Sequence, residues 1–328
     1  MRVAVKAAEG RYWKYQPEGD FSGIEMTFFP LDAPDEEIIA RCDDAEALCI
    51  DAIASASAEL IEGLPNLRFI QSEGVGYNGV DLEAATKRGV LVSNNAGINA
   101  TAVAEQAVLL MLGLLRDVLA GNEAVFAGHQ IETKERLMFE GIRELADCRV
   151  GLIGFGAIAK ATANLLRPFG CEVCYNSRHR ADGEVEERYN VTWMERDELL
   201  ASCDIVSLHC PVTPATAGMV DAAFLDAMKD DALLINTARG DLVDNEALAA
   251  ALESGSIGGA GLDTIAPEPV LPDNPLVNVS AAARARLLVS PHTGGVTTST
   301  FRRGFANTWQ NLARVQRGER PINVVNGI

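Results

Sequence analysis

Short apolar runs punctuate the chain at fairly even intervals, and between most of them apolar residues recur every three or four positions. Positions 3–6, 24–29, 45–52, 67–71 and 90–93 are runs of this kind, bounded by turn residues, and read as buried strands. Stretches 34–41, 56–62 and 81–88 carry the helical spacing. Strand and helix in alternation predict a parallel α/β unit. A second array follows the same plan. Its strands are expected at 150–153, 172–175, 205–208, 233–236, 259–262 and 287–289, with helices at 157–169, 196–201, 221–228 and 245–253. That order predicts a doubly wound parallel sheet, whose ligand groove lies beyond the carboxyl ends of the strands.

Between the arrays, 101–119 is apolar on more than one face, so it must be buried broadly, in the core or against a second subunit. The stretch 121–149 reads as a polar, irregular arm carrying Phe126, Leu137, Met138 and Phe139, which would suit a subunit contact. A last helix over 297–317 and the tail 321–328 are expected to return to the first array. The predicted domains are therefore 1–98 with 297–328, discontinuous, and 99–296.

The second array opens on RVGLIGFGAIAK, residues 149–160. A strand runs into a glycine turn and then a helix. Gly154 allows the sharp turn, Gly156 allows backbone to approach a pyrophosphate, and the helix start offers unpaired N–H groups to that phosphate. Ala159 stands where the fingerprint accepts Gly or Ala. An NAD site usually has an acidic residue at the end of the next strand for the ribose hydroxyls; this chain has Ser177 there, followed by Arg178 and Arg180. A hydroxyl backed by guanidinium groups would accept a 2′-phosphate that a carboxylate would repel, so NADP(H) is expected over NAD(H). The competing reading is a solvated loop of Arg178, His179 and Arg180.

Composition narrows the partners. A chain of 328 residues has room for two cores, and its 48% hydrophobic and 23% charged content is that of a soluble globular protein. A formal charge of −18 argues against nucleic acid or an anionic membrane surface as partner. No apolar run is long enough to span a bilayer and no leader opens the chain, so a cytoplasmic location is expected. The seven cysteines show no scaffold spacing. Cys171 and Cys174 form a CxxC, but residues three apart on a strand face opposite ways, so neither a metal nor a redox site is expected.

Three strand ends of the second array carry reactive groups: Arg239 in NTARGDLVDNEAL, Asp263 and Glu268 in GLDTIAPEP, and His292 in SPHTGG. Together with GVGYNGVDLEAATKRGVLVSNNAG, TAVAEQAVLLMLGLLR, GLIGFGAIA and LHCPVTPATAGMVD, these segments resemble the D-isomer-specific 2-hydroxyacid dehydrogenases over nearly the whole chain. The resemblance implies a flavodoxin-like substrate domain and a Rossmann dinucleotide-binding domain, with a cleft between that closes over a small 2-oxo acid. It implies that Arg239 binds the substrate carboxylate and carbonyl, that His292 is the acid-base, and that Glu268 orients and charges it. Val75 and Gly76 would offer N–H groups to the carboxylate, Asp263 would hold the nicotinamide amide, and Thr101 would lie near the cofactor. The other cofactor residues implied are Ala157 and Ile158, Cys210, Pro211 and Thr216, Thr237 and Ala238, and Gly294. A homodimer is a further family-level expectation.

Elementary chemistry agrees with those roles. Reducing a 2-oxo acid puts hydride on carbon and a proton on oxygen, which calls for an imidazolium beside the carbonyl. A buried histidine tends to lose its proton, and a glutamate partner opposes that loss. His209, within LHCP, reads as fixing loop structure, and His129 and His179 as surface residues. The Ser-Arg turn resembles that of NADP-preferring glyoxylate and hydroxypyruvate reductases. Glu73 adjoins the carboxylate loop and no lysine or arginine is expected to accompany it, which ranks a phosphorylated substrate lower. The chain ends at Ile328 without a regulatory domain, so serine control is not expected. The alternatives are an NAD-dependent phosphoglycerate-type dehydrogenase and a non-enzymatic, dinucleotide-sensing protein resembling corepressors of the superfamily.

Overall fold

The computed structural model describes residues 1–328. The chain divides into two compact units, Met1–Asn99 with Thr297–Ile328, and Ala100–Val296.

The first unit is built on five parallel strands: β1 (Arg2–Lys6), β2 (Glu25–Phe29), β3 (Ala47–Ile50), β4 (Phe69–Ser72) and β5 (Leu91–Ser93). Their order is β2-β1-β3-β4-β5, so the direction of winding reverses between β1 and β3. Helices α1 (Glu9–Lys14), α2 (Asp35–Arg41), α3 (Ala58–Gly63) and α4 (Leu82–Lys87) connect them. Ser57 and Asp81 start α3 and α4 by accepting the N–H groups of Leu60 and Ala84 at 3.1 and 2.9 Å. The pattern of apolar residues did not reveal α1, which has only Tyr12 buried.

Both faces of the sheet are covered. On one, Leu48, Ile50 and Ile70 pack with Ile38, Leu60 and Ile61. On the other, the C-terminal helix Thr298–Gln316 lays Phe305, Trp309 and Leu312 over Val3, Val5 and Phe69. Trp309 and Tyr12 are core residues, with Tyr12 4.9 Å from Phe305 between ring centroids, while Trp13 is half exposed. The tail then bonds to the sheet edge: Val325 N–H donates to Val92 O at 2.8 Å and Val92 N–H to Asn326 Oδ1 at 3.1 Å.

The second unit opens with α5 (Ala100–Leu115), which buries Ala107, Leu110 and Met111 against Val150, Leu152 and Ile235 of the sheet. It stops short of the expected residue 119. Asp117 takes a left-handed conformation (φ 49°) and accepts a bond from Arg136 Nη2 at 2.9 Å, which breaks the helical path. The arm expected to be irregular is two helices, α6 (Val118–Phe126) and α7 (Gln130–Glu140). Neither has a buried residue, which is why the chain carries no clear apolar stripe there. Phe126, Met138 and Phe139 are 87, 74 and 93% exposed.

Seven parallel strands follow: β6 (Arg149–Ile153), β7 (Glu172–Asn176), β8 (Thr192–Trp193), β9 (Ile205–Leu208), β10 (Leu233–Asn236), β11 (Gly259–Leu262) and β12 (Leu287–Val289). Their order is β12-β11-β10-β9-β6-β7-β8, a doubly wound sheet with its reversal between β6 and β9. Helices α8 (Ala157–Leu166), α9 (Gly183–Tyr189), α10 (Arg196–Ser202), α11 (Ala222–Asp226), α12 (Asn245–Ser254) and α13 (Ala281–Arg284) complete the unit. No helix of the chain is long and apolar enough to cross a membrane.

Candidate active site

The glycine turn stands at the reversal between β6 and β9. Gly154 has φ 98°, and a β-carbon there would come within 2.7 Å of the His209 carbonyl oxygen, so only glycine lets the strand ends meet. Around Gly156 the space is open, with no heavy atom within 4 Å of the position a β-carbon would take. Gly156 begins α8 without any side-chain cap, which leaves the N–H groups of Ala157 and Ile158 free for an anion. Buried Ala159 seats the helix on the core. These features fit a dinucleotide pyrophosphate.

The turn after β7 is partly committed. Ser177 Oγ donates to the His179 carbonyl at 2.6 Å. Arg180 does not stand free as the sequence suggested: its Nε and Nη2 each donate to Glu186 at 2.9 Å, and the guanidinium lies 5.9 Å from the Trp193 ring centroid. Glu186 also accepts from buried Tyr175 at 2.9 Å, so this pair organises the turn. Exposed Arg178 is the guanidinium left available.

After β9, Cys210 and Pro211 enter a loop closed by Thr216, whose hydroxyl donates to Pro211 O at 2.7 Å and accepts from Thr213 N–H at 2.8 Å. His209 Nε2 is 3.0 Å from Ser207 Oγ, and burial pushes its imidazole down to about 4. It is thus neutral near pH 7 and anchors the loop. Thr237 has a buried hydroxyl with no partner in the chain, as a residue facing an external donor or acceptor would. Thr101 is exposed in the first turn of α5.

Arg239, Glu268 and His292 leave the carboxyl ends of the neighbouring strands β10, β11 and β12. Buried Asn236 shapes the first loop, donating to Arg239 O at 2.8 Å and accepting from Ala238 N–H at 3.0 Å. Gly240 lets that loop press on the next, since a β-carbon would lie 2.2 Å from Ala266 N. The Ala266 carbonyl accepts from Asn245 at 2.6 Å and Asn274 at 3.0 Å, which holds the segment leading to Glu268. Glu268 Oε2 is 2.8 Å from His292 Nδ1. A carboxylate only accepts, so Nδ1 carries the proton and Nε2 is left for chemistry. The imidazole is not buried as the sequence argument assumed; the His292 and Glu268 side chains are 44 and 46% exposed.

Asp263 has a part the sequence did not suggest. Its buried carboxylate accepts from Ser290 Oγ (2.6 Å), Thr293 N–H (2.9 Å) and Gly294 N–H (2.8 Å), clasping the loop on either side of His292. A carboxylate has about four acceptor directions, so one remains for a cofactor amide. A β-carbon on Gly294 would lie 2.8 Å from Asp263 Oδ2, so glycine is needed for the clasp. Gln106 adds a bond to Ser290 Oγ at 2.8 Å.

Val75 and Gly76 lie in the first unit, in the loop after β4. Its carbonyls are taken: Asn95 donates to Glu73 O (2.8 Å), Asn94 to Val75 O (2.7 Å) and Ser72 Oγ to Gly76 O (2.7 Å). The N–H groups of Val75 and Gly76 have no partner in the chain. The loop therefore presents donors, which suits an anion. One expectation about it is overturned. Glu73 is accompanied by an arginine, because α1 places Arg11 Nη2 3.2 Å from Glu73 Oε2.

Residues 108–294 match the family model described as D-isomer specific 2-hydroxyacid dehydrogenase, NAD binding domain. The chain belongs to this family. It is 34% identical to the glyoxylate reductase of Thermococcus litoralis over 310 residues, covering 93% of this chain and 91% of the relative. It is 32% identical to the D-3-phosphoglycerate dehydrogenase of Mycobacterium tuberculosis over 297 residues, 90% of this chain but 54% of that one. The solved D-mandelate dehydrogenase of Rhodotorula graminis superposes with a TM-score of 0.85 at 26% identity, covering 99% of this chain and 97% of the other. As a D-2-hydroxyacid dehydrogenase, the protein is an oxidoreductase acting on CH–OH with a nicotinamide cofactor as acceptor.

Proposed function

We propose that this dehydrogenase reduces a small, unphosphorylated 2-oxo acid of the glyoxylate or hydroxypyruvate kind to its D-2-hydroxy acid, with NADPH preferred. The observation that carries the reading is the Glu268–His292 pair, with Arg239 on the adjacent strand end. Likeness to glyoxylate reductases points to the size of the acid. Ser177 and exposed Arg178, in place of a carboxylate, favour the 2′-phosphate.

NADPH, when bound at the glycine turn, supplies the hydride. Arg239 binds the carboxylate in a forked, charge-assisted way and opposes the charge developing on the carbonyl oxygen. His292 gives that oxygen its proton from Nε2, and Glu268 stabilises the imidazolium through Nδ1. The free N–H groups of Val75 and Gly76 suit a substrate carboxylate. The exposed faces of α6 and α7 are the surface through which we expect two copies to pair. Seven unpaired cysteines suit a reducing, cytoplasmic setting.

The test is the loss of reduced-nicotinamide absorbance with NADPH or NADH and, in parallel, glyoxylate, hydroxypyruvate, phenylpyruvate and 3-phosphohydroxypyruvate. Faster oxidation of NADPH with the small acids is expected. Preference for NADH with the phosphorylated acid would instead favour a phosphoglycerate-type enzyme. Tight dinucleotide binding with no oxidation by any acid would favour a dinucleotide-sensing protein.

A further inference from the structure

The first unit has a charged cluster that the reaction chemistry does not use. Its sheet reverses between β1 and β3, where a doubly wound sheet opens its crevice. Arg11 follows β1, Asp51 follows β3 and Glu73 follows β4, so three adjacent strand ends each contribute a charge. Arg11 Nη2 bonds to Asp51 Oδ2 and lies 3.2 Å from Glu73 Oε2. One guanidinium is shared by two carboxylates, and the cluster is net negative when both are ionised.

The cluster is also incompletely satisfied. The Glu73 side chain is 9% exposed, yet its Oε1 has no partner, and neither have the buried Tyr12 Oη and Arg11 Nε. The other groups facing Glu73 are Tyr12 from α1, Cys49 from β3 and Asp51. The C-terminal helix meets the loop with the uncharged Gly304 and Thr308. Burial pushes the Glu73 carboxyl up to about 7, with Arg11 opposing. Glu73 is two residues from Val75 in the loop whose free N–H groups suit a carboxylate.

We propose that Glu73, with Asp51 and Arg11, is the charge selector of the substrate: it admits 2-oxo acids with a neutral tail and disfavours those with a second anionic group. The inference rests on the reading of the Val75–Gly76 loop as the carboxylate site. A net negative charge beside that loop repels a second anion on the acid, and burial limits its screening. An uncharged tail escapes that repulsion. The arginine is present but spent on its two carboxylates, so it does not serve as an anion site.

Binding, rather than turnover, tests this. Dissociation constants of hydroxypyruvate and oxaloacetate are measured by calorimetry on the full chain with NADP⁺, which cannot donate hydride. At about pH 8, above the Glu73 titration, Glu73→Gln is expected to improve oxaloacetate relative to hydroxypyruvate about tenfold, the size of one partly screened charge at several ångströms. At about pH 5.5 the variant and the parent should converge, because a protonated glutamate is as neutral as glutamine. Asp51→Asn is the second variant, should Glu73→Gln not fold, and is expected to shift the ratio in the same direction. A ratio within twofold of the parent in the folded variants, or binding of neither acid, overturns the proposal. Failure of NADPH oxidation by the parent protein would instead overturn the reductase reading, and the binding ratio would still judge the selector.

Discussion

His292 Nδ1 stands 2.8 Å from Glu268 Oε2, across the loops that follow β12 and β11. His292 is itself left-handed at φ 53°, a conformation with a cost for any residue but glycine, so the loop must hold it there. Two neighbouring strand ends thus aim a carboxylate at one ring nitrogen and leave the other free. His292→Ala should lower turnover by at least about a hundredfold with cofactor affinity nearly retained, the usual extent of lost acid-base help. Glu268→Gln can still hold the ring but not its charge, and should lower turnover about tenfold or more. Steady-state rates with fluorescence titration of NADPH decide both, and an unchanged rate in His292→Ala removes that residue from the mechanism.

Asp263 positions His292 from below through Ser290, Thr293 and Gly294. Asp263→Ala would orphan two backbone N–H groups near a buried site, and should cost about 2–4 kcal/mol of stability. Chemical denaturation measures the loss. A variant as stable as the parent would mean that the clasp is not formed in solution.

Cofactor choice is expected to rest on Ser177 and Arg178 more than on Arg180, because Glu186 already holds Arg180. Ser177→Asp should move preference from NADPH toward NADH, and Arg178→Ala should raise KM for NADPH without a matching change for NADH. Arg180→Ala should weaken the turn for both cofactors alike. Equal responses of both cofactors to Ser177→Asp would place the 2′-phosphate elsewhere.

Burial of Glu73 has a consequence for stability. Its pKa is raised from 4.5 to about 7, so between those values the folded chain binds more protons than the unfolded one. The contribution of Glu73 is therefore fully present below the unfolded value and is lost as pH rises through about 7. Unfolding free energies of the parent and Glu73→Gln, compared across this window, should show the parent falling relative to the variant as pH rises. Parallel curves would contradict a buried, proton-holding Glu73. His209 is shifted the other way, to about 4, and should stay neutral by NMR titration through pH 7.

Phe126 and Phe139 are almost wholly exposed on α6 and α7. Replacing both with Glu should abolish the proposed pairing of two copies, read by sedimentation, since a charge is costly at an apolar interface. An unchanged sedimentation coefficient would locate pairing elsewhere or deny it.

The alternation of apolar runs was enough to predict both parallel sheets, because strands buried on both faces leave uninterrupted apolar segments; it missed only the two-residue edge strand β8, neither residue of which is buried. The glycine turn and the placement of Arg239, Glu268 and His292 after three strands were legible too, since each occupies a motif at a strand's end. Residues whose work is to hold other residues were not. Asn94, Asn95 and Asn236 bond to backbone atoms that the fold brings near, and Asp263, legible as a strand-end carboxylate, clasps its loop in a way that was not, because a polar side chain in a loop carries no sign of its partner. Helices α6 and α7 gave no sign either, as a helix with no buried face has no apolar stripe. Only the tertiary structure showed that Glu186 takes Arg180 and that Arg11, more than sixty residues from Glu73 in sequence, lies against it. Local sequence sets which groups are present and how the backbone turns; which distant charges meet, as Arg11 and Glu73 do, depends on strand order, and that is decided when the sheet assembles.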